Sequence, residues 1–340
     1  MALEPAEALR RIAFLLERSR AGTYRVKAFR GAAETVRATD PDELRKRAEV
    51  GTLTDLPGIG TATEAVIREA LEGAVPAYLS SLEEKAAGPL VSGGEKVLAA
   101  LRGDLHCHSD WSDGGSPIEE MVVTAMELGR DYLVLTDHSP RLTVANGLSA
   151  ARLTKQLGVI DAVNEHLDGD FRLLKGIEVD ILDDGELDQT PEMLGRLDVV
   201  VASDHSKLRM NAAPMTRRMV AAVSNPRTNV LGHCTGRLVE GERGVRPQSD
   251  FDAAEVFAAC AAHDVAVEIN SRPERCDPPD ELLALALEAG CVFSIDSDAH
   301  APGQLDFLAY GCERAQRLGV PVERIVNTWE ADRLLAWARP

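Results

Sequence analysis

Residues 131–139 read DYLVLTDHS, an apolar run with β-branched and aromatic members that breaks into Thr, Asp and His. Such a short, continuous apolar stretch suits a strand buried on both faces. Further runs of the same build follow along the chain: FRLLKGIEVDI (171–181), LDVVVASDHS (197–206), TNVLGHCTG (228–236), VAVEINS (265–271) and CVFSIDSDAH (291–300). GDLHCHS (103–109) precedes them and brings the strand count to seven. Between them lie periodic, helix-like stretches at 117–128, 150–167, 214–223, 250–263 and 280–289. Strand–helix alternation means a parallel sheet, so the expected fold of this part is α/β.

Each run stays apolar until its last residues and then delivers a polar one. His106 and His108 end the first strand, His138 follows the second, and Glu178 ends the third. His205, His233 and the pair Asp298 and His300 end or follow the fourth, fifth and seventh, while the sixth closes on Glu268-Ile-Asn270. In a parallel barrel the C-terminal strand ends converge on one face, so these separate motifs become neighbours. Spaced by two, His106 and His108 project to the same side of a strand and can chelate one ion. Six of the eight histidines occupy such positions, whereas His166 and His263 fall in helical stretches and read as ordinary surface residues. The candidate ligands are His106, His108, Asp113, His138, Glu178, His205, His233, Asp298 and His300. That many N and O donors exceed the needs of one ion and imply two or three, with a carboxylate bridging. Imidazole and carboxylate together suit zinc, manganese or iron.

The first 90 residues have a different rhythm, helical throughout. EPAEALRRIAFLLERS and YRVKAFRGAAETVRA each place apolar residues on one helical face, and DPDELRKRAE opens with a helix-start signal. LPGIG (56–60) forms a tight turn between two more helices. The Gly-, Ser- and Pro-containing stretch around 85–96 marks a boundary. The expected domains are 1–92, a linker at 93–100, and 101–340. Charge divides with them: 13 basic against 14 acidic residues in 1–92, and 24 against 41 in the remainder. Within 10–47 there are 11 basic and 5 acidic residues, so the N-terminal part can face a polyanion and the rest cannot do so unaided. The six cysteines are scattered with no CxxC, which argues against a disulfide framework and a thiolate zinc knuckle. No apolar run approaches the ~20 residues of a membrane helix. The start MALEPAEALRRIAF lacks a signal peptide's apolar core, so a cytosolic protein is expected.

DLHCHSDWSDG (104–114), LTDHS, GIEVDI, ASDHS, GHCTGR and SDAH resemble, in order and spacing, the motifs of the PHP (polymerase and histidinol phosphatase) family. ANGL, EVDILDDGELD, EINSRPERCD and YGCERAQRLGV bring the chain closest to the PHP domain of bacterial family-X DNA polymerases. The N-terminal part resembles the helical 8-kDa, helix-hairpin-helix domain of the same polymerases. The resemblance implies a distorted (β/α)7 TIM-like barrel with three metal sites. His106, His108, Glu178 and Asp298 would hold the first ion; Asp113, His138 and His300 the second; His205 and His233 the third, with Glu178 bridging. Asp204 stands where a small or apolar residue is common, and Cys234 where proline is frequent.

Clustered divalent ions suit phosphate-ester hydrolysis, because two ions ~3.5–4 Å apart can activate a water and clamp an in-line displacement. Arg237 is the expected cation for the developing charge, with Lys207 and Arg275 as weaker candidates, and Asn270 is expected to position substrate or water. In the hairpin, Gly58, Gly60 and Thr61 are placed to offer backbone N–H groups to a DNA phosphate without reading sequence. The lysine nucleophile that such domains can carry falls here on or near Val66, and no room exists between the two modules for a polymerase palm. The leading expectation is a metal-dependent DNA phosphoesterase: a 3′→5′ exonuclease, or an enzyme processing abasic sites or 3′ ends. A small-molecule phosphomonoesterase of the histidinol-phosphate type is the alternative. A non-enzymatic DNA-binding module with a structural metal is the third, disfavoured because structural sites close with four ligands.

Overall fold

The computed structural model describes residues 3–167, 169, 171–241 and 244–339. The chain divides into two compact units, Met1–Pro89 and Leu90–Pro340.

The first unit is all-helical: Pro5–Arg18, Thr23–Ala38, Pro41–Val50, Thr61–Leu71 and Ala77–Ala86. Its core collects the apolar faces seen in the sequence, with Leu9, Ile12, Leu16, Phe29, Ile67 and Leu79 buried together. Inside it, both Glu17 carboxylate oxygens accept from Arg30, at 2.8 Å from Nε and 2.7 Å from Nη2, which ties the first two helices. Asp40 caps the third helix by accepting from the N–H groups of Asp42 and Glu43, with Pro41 at its first position. A short 3₁₀ turn, Leu53–Asp55, leads into the hairpin. There Ile59 is buried and Gly58 has φ +75°, a conformation L side chains rarely adopt.

The second unit contains one seven-stranded parallel sheet in sequential order. Its strands are β1 (Gly103–Cys107), β2 (Tyr132–Leu135), β3 (Arg172–Asp180), β4 (Val199–Ser203), β5 (Val230–Leu231), β6 (Ala266–Asn270) and β7 (Phe293–Asp296). A parallel bridge between Cys107 and Ala299 brings the two ends together, so the sheet forms a nearly closed barrel, a distorted TIM-like form. Helices Ile118–Glu127, Ala150–His166, Ala212–Val223, Ala253–Ala262 and Asp280–Glu288 occupy the periodic stretches. The stretch expected as linker is in part helical: Glu95–Ala100 forms a turn and a half whose Val97 packs into the second unit's core.

Two-residue alternation sorts the strands. Leu133, Leu135, Ile177, Val200, Phe293 and Ile295 pack with the helices. Val134, Leu174, Val199, Val201, Val230 and Ala266 form a second cluster with the C-terminal Val326, Trp329 and Leu334. Continuing that second face by twos leads from Leu174 to Glu178 and from Ala266 to Glu268 and Asn270. The barrel is thus apolar below and becomes polar towards its C-terminal rim. Strand β1 departs from regular pairing, with a register shift between Asp104 and Cys107. Such an irregularity re-aims side chains, and here His106 lies within it and His108 just beyond it. No helix among the described residues is long and apolar enough to cross a membrane.

Candidate metal centre

The strand ends bring all nine expected ligands into overlapping groups. His108, Asp113, His138 and His300 form one; His106, His108 and Asp298 another; His106, Glu178 and His233 a third; His138, Glu178 and His205 a fourth. Glu178 sits at the middle. Its Oε2 lies 2.7 Å from His138 Nδ1, 3.4 Å from His106 Nε2 and 3.6 Å from His108 Nε2. Its Oε1 lies 2.8 Å from His233 Nε2 and 3.2 Å from His205 Nε2. Asp113 Oδ1 is 3.3 Å from His138 Nε2 and 3.4 Å from His300 Nε2. Asp298 Oδ1 stands 3.4 Å from His108 Nε2. An ion bonded to N and O at ~2.1 Å holds its donors ~3.0–3.4 Å apart, so these spacings suit shared cations.

Unmet hydrogen-bonding capacity supports the same fit. His106 Nε2, both ring nitrogens of His108 and Glu178 Oε2 are buried without a hydrogen-bond partner. Orphaned donors and acceptors are costly, and cations at this place would use them. The backbone is also strained at this rim, where Asp298 has φ +50°, a left-handed conformation uncommon outside glycine.

The electrostatics are those of a carboxylate core ringed by imidazoles. Burial opposes charge on Glu178, yet His205, His106 and His138 outweigh it and hold its carboxyl well below the usual range. The same pairing lifts His138 to about 10 and His205 to about 9, against their burial. His108 moves the other way, pushed well down by burial and by His300 and His138. Without ions the first two rings therefore carry protons at neutral pH, which metal loading must displace.

Behind the candidate ligands stand Glu268, which the strand-end reading placed but gave no role, and Asp180, which it passed over. Glu268 Oε1 accepts from His106 Nδ1 at 2.6 Å, and its Oε2 accepts from the His233 backbone N–H at 2.5 Å. Asp180 accepts from His205 Nδ1. The contacts to His106 and His205 fix the tautomer and turn Nε2 towards the cluster, as outer carboxylates usually do for metal-binding histidines. The available signal was period two, since Glu268 precedes Asn270, and Asp180 follows Glu178, by two residues on one strand face. Asn270 is itself engaged, its Nδ2 3.2 Å from Glu268 Oε2 and from Asp298 Oδ2.

The expected cations differ in what they touch. Lys207 is mostly exposed and forms an ion pair with Asp183, outside the ligand groups. A long, hydrated ammonium takes the nearest exposed carboxylate. Arg237 donates to the carbonyls of Arg275 and Cys276. Arg275 and Arg272 come nearer to the ligands: Arg275 Nε donates to Asp298 Oδ2 at 3.1 Å, and Arg272 Nη1 lies 2.9 Å from His300 Nδ1. Asp204, unusual in sequence, faces the fully buried Arg218 with Oδ1 2.9 Å from Nη2, close but without a hydrogen bond's alignment. Arg218 also donates to the carbonyls of Ile181, Leu182 and Ser206, and so straps the ends of β3 and β4 together. Burial lifts the Asp204 carboxyl to about 6 in spite of Arg218. The pair therefore positions the His205 loop more than it stabilises the fold. Cys234 is buried, and burial pushes its thiol well up, away from a thiolate ligand.

In the first unit, the helix Thr61–Leu71 starts at Gly60, whose N–H donates to Thr63 Oγ1 at 2.9 Å. The N–H groups of Thr61, Ala62 and Thr63 open that helix and have no intrahelical acceptor. Val66 is buried in the core, so no nucleophile stands there.

A parallel barrel with this donor set at its C-terminal rim has the build of a metal-dependent hydrolase. Residues 104–272 match the PHP domain, and residues 3–75 match a helix-hairpin-helix domain. The chain belongs to the PHP family of metal-dependent phosphoesterases, with the helical domain ahead of its barrel. Among its relatives is the DNA polymerase/3′-5′ exonuclease PolX of Bacillus subtilis, 37% identical over 230 residues. That match takes in 68% of this chain and 40% of the relative, so the chain spans about two fifths of that protein's length. A probable phosphatase of Caldicellulosiruptor bescii is 28% identical over 240 residues, 67% of this chain and 91% of that one. A solved histidinol phosphate phosphatase of Lactococcus lactis is 17% identical, with a TM-score of 0.45 over 64% of this chain and 92% of that one.

Proposed function

We propose that this chain hydrolyses phosphoesters of DNA, as a 3′→5′ exonuclease or an enzyme that trims abasic sites or 3′ ends, with two or three Zn²⁺ or Mn²⁺ ions held by the nine ligands. The observation that carries the phosphoesterase reading is Glu178, one buried carboxylate within 3.6 Å of five imidazoles. When bound, the ions would supply an activated water and Lewis-acid stabilisation of the phosphoryl oxygens. The chain's own residues do the rest. Glu178 joins the ligand groups, Glu268 and Asp180 hold His106 and His205 in register, and Arg275 and Arg272 hold Asp298 and His300 in place. Arg237 and Asn270 border the place where a substrate would lie.

The DNA substrate is supported by the hairpin domain, whose first-turn N–H groups at Thr61 and its neighbours suit a phosphate, and by the similarity to PolX. A second reading, a small-molecule phosphomonoesterase, is favoured by the strongly acidic balance of residues 93–340 and by the likeness to probable phosphatases. Changing Gly58 to valine separates them. At φ +75° a β-branched side chain strains the turn by ~1–2 kcal/mol and distorts the phosphate-binding N–H groups. If DNA is the substrate, cleavage of a long duplex should fall about tenfold more than hydrolysis of bis-p-nitrophenyl phosphate in the same preparation. Parallel loss of both activities, with the protein folded, would reject the tethering role.

A further inference from the structure

Beside the metal centre lies a cavity of about 420 Å³ that none of the metal ligands lines. It shares two residues with the surroundings of that centre: Asn270, bonded to Asp298, and Arg272, which touches His300. From there it runs to Arg314 and Arg317 on the helix Leu308–Arg317. Tyr310, Pro273 and Pro279 supply apolar wall. Its volume falls within the ~300–1,000 Å³ of small-molecule sites.

The lining has more donor capacity than the protein uses. Arg314 Nη1 and Ser271 Oγ are buried with no hydrogen-bond partner. The guanidinium of the half-buried Arg237 is held by two backbone carbonyls, and among the described residues no carboxylate pairs with that guanidinium, Asp277 accepting only from the residue's backbone N–H. Of the acidic lining residues, Asp280 is engaged by Arg314 and Arg317, Glu313 by Arg317, and Glu281 is exposed. Buried polar atoms normally find partners, and an uncompensated guanidinium beside orphaned donors calls for an anion. A guanidinium fork matches phosphate oxygens in particular.

We propose that this cavity is an anion subsite for a second phosphate of the substrate, the one next to the phosphate under attack. The proposal rests on the phosphoesterase reading and narrows it: the preferred substrate carries neighbouring phosphates, as a nucleic-acid strand does, and an isolated phosphomonoester leaves the subsite empty. A cationic substrate tail would meet Arg237 unfavourably.

The test is equilibrium binding to the metal-loaded full chain, with thymidine 3′,5′-bisphosphate compared with the 3′- and 5′-monophosphates. The bisphosphate should bind at least tenfold more tightly than either monophosphate, and Arg237→Met should erase most of that preference. Arg314→Met should act alike, and because Arg314 is buried, its melting curve and metal content are checked alongside. Equal affinities for the three nucleotides would overturn the subsite, as would a preference that survives in folded Arg237→Met protein. Hydrolysis of bis-p-nitrophenyl phosphate by the same sample reports separately on the phosphoesterase reading. Absence of that hydrolysis, together with absence of p-nitrophenyl phosphate hydrolysis, would sink that reading while the binding result still decides the subsite.

Discussion

Replacing Glu178 by glutamine is expected to lower phosphoester turnover by about 10³-fold and to release at least one metal ion per chain. The size follows from the several kcal/mol, ~4 for this centre, that bound metals contribute to a phosphoryl transition state, with each 1.36 kcal/mol worth tenfold. Glutamine keeps the volume but loses the charge that offsets His106, His138 and His205. One of its two terminal groups must also become a donor among imidazoles that serve as ligands through their lone pairs. Metal content by mass spectrometry and turnover on bis-p-nitrophenyl phosphate read the two effects together. Full metal content with activity within tenfold of wild type would show that Glu178 does not join the groups.

The second large effect belongs to Glu268, which touches no candidate ion in the proposed arrangement. Its two oxygens accept from three donors: His106 Nδ1, the His233 backbone N–H and Asn270 Nδ2. Glu268→Gln should therefore be nearly as damaging as Glu268→Ala, since its amide nitrogen must face at least one of those donors. Loss of an outer carboxylate of this kind costs about 10–100-fold in metal affinity or activity. Competition with a chelator of known affinity gives the change directly, and the loss should appear in metal affinity before it appears in the melting temperature. Glutamine that binds metal as tightly as wild type would assign Glu268 a packing role only.

How far the sequence could be read differs between levels. The barrel was legible because a fully buried parallel strand has to be a continuous apolar run, and those runs are unmistakable at 132–135 and 199–203. Strand β5 was legible only as TNVLGHC, since just Val230 and Leu231 are paired. The candidate ligands could be named in advance because each stands at or just beyond the end of an apolar strand, where a barrel gathers its polar side chains. What lay behind them could not. Glu268 and Asp180 sit on the same strand faces as ligands, but which carboxylate binds an ion and which orients a histidine depends on distances that spacing does not encode. The same holds for the cations. Arg237 stands in a conspicuous motif yet is tied to carbonyls, Lys207 turns to Asp183, and Arg272 and Arg275 reach the ligands from a loop whose path has no periodic signal. Asp204 looked anomalous by itself and makes sense only beside Arg218, nearly two turns into the helix Ala212–Val223. Glu95–Ala100 was hidden for a plainer reason: a six-residue helix preceded by two glycines has the composition of a linker.

Whether the metal-loaded protein cuts DNA is the central question. The most direct measurement incubates the full chain with one DNA strand labelled at its 3′ end and another at its 5′ end, in Mn²⁺, Zn²⁺ or EDTA. An abasic duplex and histidinol phosphate run in parallel. The predicted result is cleavage of DNA that EDTA abolishes, with products of the 5′-labelled strand shortening stepwise from the 3′ end or nicked at the abasic site. DNA left intact under every metal, with phosphate released from histidinol phosphate, would contradict the DNA reading and make the small-molecule phosphomonoesterase the correct one.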